Sequence, residues 1–200
     1  MLKIYHAPGT RSVRPIWLCY ELDLPVEIVT VDFSPAYRNT PEWRAISPAG
    51  KVPVMTDGDL AMFESGAMVD YILERYGAGR LQPAPGTAAS AQYRQWCWFA
   101  EATLIRPLGL MAFFGPSLQP GEAIAAEARH KVEDCLAMVD QALAETDFLL
   151  GPAFSAADVM MGYSLFLLAK FKVLDERYPQ AQAYLERLKS RDAFTRALNA

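Results

Sequence analysis

Two hundred residues, 52% of them hydrophobic, suffice for one large domain or two small ones with buried cores. Nineteen basic against 23 acidic side chains give a formal charge of −4, with no Lys/Arg block and no glycine-rich phosphate cradle. That balance excludes an electrostatic nucleic-acid role and favours a small soluble partner.

Met1-Leu2-Lys3-Ile4-Tyr5 reads as a short strand rather than a secretory leader. The strongest apolar run, residues 162–169, falls far short of the roughly 20 residues that cross a bilayer, so a cytoplasmic location is expected. Cys19, Cys97 and Cys135 are odd in number, widely spaced, and free of any CxxC or Cys/His pattern. Reduced thiols and no metal are expected.

His6-Ala7-Pro8-Gly9-Thr10-Arg11 is a loop leading into a helix near Ser12, with Pro15 tolerated in its first turn and Val13, Ile16, Trp17, Cys19 and Tyr20 along it. Leu24-Pro25 ends the helix before a second strand over 26–31, which completes a parallel βαβ unit. A polar stretch follows. Thr40-Pro41-Glu42 then caps a short helix that stops at Ser47-Pro48-Ala49-Gly50. Residues 52–56 and 60–63, joined through Asp57-Gly58-Asp59, read as a β-hairpin, and Ser65 caps a helix that runs to Tyr76 and stops at Gly77. The order βαβαββα occupies residues 1–78. Gly, Pro, Ala and Thr dominate a linker over 79–88, and from 89 to 200 only helical periodicity is left, strongest over 93–114 and 122–145. The expected fold is an α/β domain followed by an all-α domain.

Two motifs carry chemistry. In Gly50-Lys51-Val52-Pro53-Val54 a proline opens or interrupts a strand, an edge or special-turn position where an X-Pro bond can be cis at modest cost. If it is cis, Val52 presents its main-chain N–H and C=O to an extended peptide; an ordinary edge-strand proline is the alternative. In Phe63-Glu64-Ser65-Gly66 a strand meets a helix start. There Ser65 suits a ligand carboxylate and Glu64 a ligand ammonium group, a plain N-cap with a solvated glutamate being the alternative. Together the two motifs describe a site for a γ-glutamyl peptide.

Lys51-Val52-Pro53 followed by Glu64-Ser65, on a βαβαββα domain ahead of a helical one, resembles the cytosolic glutathione transferase family over essentially the whole chain. Ser155-Ala156-Ala157-Asp158, after Phe148-Leu149-Leu150-Gly151, resembles the capping box and hydrophobic staple of that family's helical core. The resemblance implies a thioredoxin-like domain that holds glutathione as co-substrate through Lys51, Val52, Pro53, Glu64 and Ser65. It further implies conjugation to a small hydrophobic electrophile, a detoxifying role and a homodimer. A glutathione-dependent peroxidase or isomerase, or a non-catalytic scaffold, are the alternative functions.

The family's chemistry is activation of a thiol whose reference pKa is about 8.5. A hydroxyl beside a helix start suits that task, and Ser12, Thr10 and Tyr5 all lie in or near the right segment. Ser12 is the expected donor, with Thr10 and then Tyr5 as alternatives. Arg11 stands where cysteine-type members carry their cysteine, which disfavours disulfide-reducing activity; Arg11 either stabilises a thiolate or faces solvent. Trp98, Phe99, Arg106, Met111, Phe113 and Phe114 are aromatic-rich candidates for the second-substrate pocket, with core or dimer interface as the competing use. Arg106-Pro107 is expected to kink its helix.

Overall fold

A computed structural model describes the backbone of residues 1–114 and 119–200, and their side chains except those of 112–114 and 119–123. Contacts divide the chain into two units, one comprising Met1–Arg80 with Lys189–Ala200 and the other Leu81–Leu188.

The first unit is built on a four-stranded sheet. Strand β1 (Lys3–His6) runs parallel to β2 (Glu27–Thr30) through the crossover helix α1 (Val13–Glu21). Its other edge pairs antiparallel with β3 (Val54–Asp57), which turns through Gly58 into β4 (Leu60–Phe63), giving the order β2-β1-β3-β4. Burial alternates along β1: Ile4 and His6 are sealed from solvent while Lys3 and Tyr5 are half-covered. That period of two puts His6 on the same face as the core residue Ile4.

Helix α1 is buried from Val13 through Cys19, and Asp23 at φ +55 marks the left-handed residue beyond its end. Two short helices follow β2, α2 (Pro35–Arg38) and α3 (Pro41–Ile46). Each opens with a hydroxyl cap and a proline: Ser34 Oγ accepts the Tyr37 N–H at 3.2 Å, and Thr40 Oγ1 accepts the Trp43 N–H at 3.2 Å. The stretch read as merely polar thus contains α2, started by the same signal as its neighbour. Helix α4 (Ser65–Tyr76) closes the βαβααββα order.

The second unit is helical. Helix α5 (Ala88–Trp98) continues as a π-helical turn over Phe99–Leu104 into α6 (Ile105–Phe114), followed by α7 (Gln119–Ala142), α8 (Ala156–Lys170) and α9 (Pro179–Lys189). Pro107, where a kink is expected, lies in the first turn of α6 directly after this π turn; proline has no N–H for the Thr103 carbonyl and its ring needs room there. Cys135 Sγ approaches that carbonyl at 4.0 Å. Helix α8 is buried on nearly all sides and is anchored at its start by Asp158. The Asp158 carboxylate accepts the Ser155 N–H at 2.8 Å, the Ser155 hydroxyl at 2.9 Å, the Leu149 N–H at 3.0 Å and the Tyr184 hydroxyl at 2.7 Å. Asp158 is therefore a structural group, as its place in the capping box implies. Among the described residues no helix is long and apolar enough to cross a membrane.

Beyond α9 the chain returns to the first unit. Helix α10 (Asp192–Leu198) lays Phe194 on Trp17 of α1, ring centroids 4.2 Å apart. Arg191 donates two hydrogen bonds to the Glu21 carboxylate at 2.7 and 2.6 Å, and Trp17 Nε1 donates a third at 2.8 Å.

Candidate functional site

The loop between β1 and α1 is shaped by Pro8-Gly9. Gly9 at φ +73, with the Thr10 N–H closing onto the Ala7 carbonyl at 3.3 Å, has the features of a type II turn. The turn brings the Thr10 hydroxyl back onto the same carbonyl at 2.7 Å and within 2.6 Å of Ser12 Oγ. Ser12 occupies the N-cap position of α1 but makes no side-chain cap bond. Its Oγ lies 2.7 Å from His6 Nδ1 and 3.4 Å from the Ala7 carbonyl, and the residue is wholly buried. His6 Nε2 in turn lies 3.0 Å from the Ala200 main-chain oxygen. Burial holds the imidazole below its ordinary pKa, a shift the Ala200 contact partly offsets. Thr10, the outer hydroxyl, is half-exposed.

The Val52-Pro53 bond is cis. Ser47 pins the residue before it, accepting the Lys51 N–H at 2.9 Å and donating its hydroxyl to the Lys51 carbonyl at 2.8 Å. Because the ladder begins at Val54, opposite Phe63 and Tyr5, the main chain of Val52 lies beyond the last paired residue. Val52 and Val54 pack with Ala7 and Trp43 in one buried cluster, joined by Tyr5 and Tyr37 at its margin. The strand opening at Val52 is thereby set beside the Thr10 loop. The Lys51 side chain is exposed.

Glu64 precedes α4 at φ +73, a conformation uncommon for a non-glycine residue, and its side chain is exposed. Ser65 is the first residue of the helix rather than its cap. Its Oγ accepts a hydrogen bond from Arg14 Nη1 at 3.2 Å, and both residues are buried. With Arg14 as donor, the Ser65 hydroxyl keeps its own hydrogen for an acceptor beyond it.

The structure therefore gathers Thr10, Ser12, Val52, Pro53 and Ser65 around one end of the sheet, through the Ala7 cluster on one side and the Arg14 bond on the other. Tyr5 packs edge-on against Trp43 at 6.0 Å between centroids. Arg11 is half-buried in the loop, and Arg106 is exposed on α6 of the second unit. The side chain of Phe113, like that of Phe114, lies outside the described residues. His6 and Arg14 were not singled out from the sequence. Their signals were a histidine in register with Ile4 on β1, and an arginine inside the apolar run Val13 to Trp17 that no solvent-facing period explains. Among the described residues no group of three or more His, Cys, Asp or Glu side chains is placed to hold a metal.

A mixed four-stranded sheet with a cis-proline opening its third strand, followed by an all-helical unit, defines a thioredoxin-like protein with a helical extension. Residues 1–74 match the family model for the N-terminal domain of glutathione S-transferase, and residues 122–187 match that for its C-terminal domain. Glutathione S-transferase F10 of Arabidopsis thaliana is 29% identical over 205 residues, covering 97% of this chain and 94% of that protein. The ternary complex of BphK, a bacterial transferase, superposes with a TM-score of 0.87 at 27% identity, over 98% of each chain. A glutathione transferase family member from Pseudomonas fluorescens, solved with two glutathione molecules bound, gives a TM-score of 0.88 at 25% identity over 98% of this chain and 92% of that one. The chain belongs to the glutathione S-transferase family.

Proposed function

We propose that this chain binds glutathione through residues 1–78 and transfers its thiolate to small hydrophobic electrophiles, in the cytoplasm and as a homodimer. The observation that carries the reading is the convergence of three features at one end of the sheet. These are the half-exposed Thr10 hydroxyl backed by Ser12, the Val52 main chain beyond the ladder, and the Ser65 hydroxyl with a hydrogen to spare. An extended tripeptide pairs its main chain with Val52, sets its γ-glutamyl carboxylate on Ser65 at the start of α4, and places its ammonium group beside Glu64. The exposed Lys51 supplies a positive charge for the opposite carboxylate.

The thiol then falls to the Thr10–Ser12 pair, with Arg11 of the same loop adding positive potential. A hydroxyl donor and the helix start lower the thiol pKa from about 8.5 and stabilise the nucleophilic thiolate. Arg106, exposed on α6, and Phe113 are our candidates for contact with the electrophile. Dimerisation is supported by large apolar side chains left open to solvent, Phe63 at 58% on β4 and Trp98 at 69% on α5.

The test is a glutathione titration of the wild type beside Ser65→Ala and Glu64→Ala, with turnover of an aryl halide followed in parallel. Saturable binding weakened in both variants, together with turnover, is expected. Binding without turnover of aryl halides, peroxides or isomerisable substrates identifies a binding protein instead, and absence of binding overturns the reading.

A further inference from the structure

The hydrogens around Ser12 can be counted. The Ala200 oxygen, 3.0 Å from His6 Nε2, only accepts, so that nitrogen carries the imidazole hydrogen. A neutral ring then has a bare Nδ1, and the group 2.7 Å from it is the Ser12 hydroxyl, which must donate. With its single hydrogen spent on His6, Ser12 accepts from Thr10 across their 2.6 Å contact. The Thr10 hydrogen is thus turned inward, toward Ser12 and the Ala7 carbonyl. In this state the outer face of Thr10 Oγ1 offers a lone pair, and neither hydroxyl has a hydrogen to give a sulfur.

We infer that Thr10, Ser12 and His6 form a proton relay that takes the proton from the glutathione thiol and stores it on the His6 imidazole. The inference rests on the proposed glutathione site. The S–H bond breaks as its proton passes to Thr10 Oγ1; the former Thr10 proton passes to Ser12 Oγ, and the former Ser12 proton to His6 Nδ1. Three hydrogen bonds reverse direction and no proton enters or leaves the chain of groups. The products are a thiolate that now receives the Thr10 O–H, and an imidazolium donating to Ser12 and to Ala200.

Thr10 is the residue that touches the reacting sulfur; Ser12 and His6 are positioning residues acting through it. A buried imidazole is a weak base, but its proton arrives together with a thiolate whose charge favours the cation, as in other Cys–His pairs. Several ionisable groups on the surrounding elements have partners of their own. Lys3 of β1 pairs with Glu27 of β2, and Asp57 of β3 accepts from Tyr71 and Tyr76 of α4. On α1, Arg14 holds Ser65 and Glu21 holds Arg191, while Arg196 of α10 lies over the Tyr20 ring. Tyr5 and Arg11 flank the loop itself.

The chain has two histidines, so the ring nitrogens of His6 are resolved by ¹⁵N NMR once His6→Gln identifies its signals. At neutral pH the His6 ring of the wild type should be neutral without ligand. It should become protonated when glutathione binds and stay neutral with S-methylglutathione, which has no thiol proton. In His6→Gln, bound glutathione should keep its affinity while its thiol pKa, read from thiolate absorbance, climbs toward about 8.5, and turnover should fall about 10²-fold. Ionisation of the bound thiol with His6 still neutral overturns the relay, as does protonation of His6 by S-methylglutathione. Failure of both ligands to bind overturns the glutathione site itself, a separate and visible outcome.

Discussion

Arg14 Nη1 and Ser65 Oγ lie 3.2 Å apart, both closed to solvent, and join the first turns of α1 and α4 at the edge of the candidate site. In the proposed glutathione site this one hydroxyl would serve two partners, the buried Arg14 cation behind it and a ligand carboxylate ahead. Ser65→Ala should weaken glutathione binding about 10- to 100-fold and also cost about 1–3 kcal/mol of stability, because the buried Arg14 loses the Ser65 acceptor. Calorimetric titration and denaturant unfolding of the same variant check both effects. Unchanged affinity removes Ser65 from the clamp.

His6 also makes stability depend on pH. Its folded pKa is lowered by burial below the ordinary value of 6.5, so the unfolded chain binds the extra proton first. Stability from this group is full above about pH 6.5 and is lost as pH falls toward the folded value. Melting temperatures should decline from pH 7.5 to pH 5.5 more steeply in the wild type than in His6→Gln. Parallel declines exclude His6 as the source.

Asp158 accepts four hydrogen bonds inside the helical unit, and Tyr184 supplies the one that comes from α9. Burial raises the carboxyl pKa and the four donors pull it back, so the site depends on every one of them. Tyr184→Phe should cost about 1–2 kcal/mol, and Asp158→Ala about 3 kcal/mol or more, since two buried N–H groups then lack an acceptor. Urea melts of the two variants give the ranking, and an Asp158→Ala protein as stable as wild type contradicts it.

Glu21 is the point at which α10 is fastened to α1, through two bonds from Arg191 and one from Trp17. The Glu21 side chain is largely covered and that of Arg191 partly open, so Glu21→Ala should cost about 1–3 kcal/mol after allowance for solvent screening. The loss should show as faster amide exchange confined to α10 and the facing turn of α1. Uniform loss of protection across the first unit points instead to a global effect.

Much of this fold was legible because its punctuation is local. Proline and hydroxyl caps mark α3, Asp57-Gly58 marks the hairpin, and Val52-Pro53 announced a cis bond that the structure contains. The partner of α10 was not legible, since an amphipathic period says that a face is buried but not against what. The candidate site was half legible. Thr10, Ser12, Val52 and Ser65 stand at element boundaries where sequence signals are strong. His6 and Arg14 lie within elements, and their roles arise from contacts across 6 and 51 positions, 2.7 Å to Ser12 and 3.2 Å to Ser65.

The wide turn over Phe99–Leu104 acts on α6 as an offset tooth acts on a gear. Each residue of an α-helix advances about 100° around the axis, and a π turn absorbs one residue more than an α turn. Helix α6 is accordingly rotated by roughly that angle from the phase an unbroken helix starting at Ala88 would carry forward. In the observed phase Ile105 and Leu108 are buried and Arg106 faces out. An unbroken α-helix of the same residues would turn Arg106 off the exposed face and Leu108 off the buried one, whereas deleting one residue such as Ala102 lets the π turn close to an α turn and keeps both in their observed phase. The length of one turn, rather than the identity of any side chain, decides which face of α6 meets solvent.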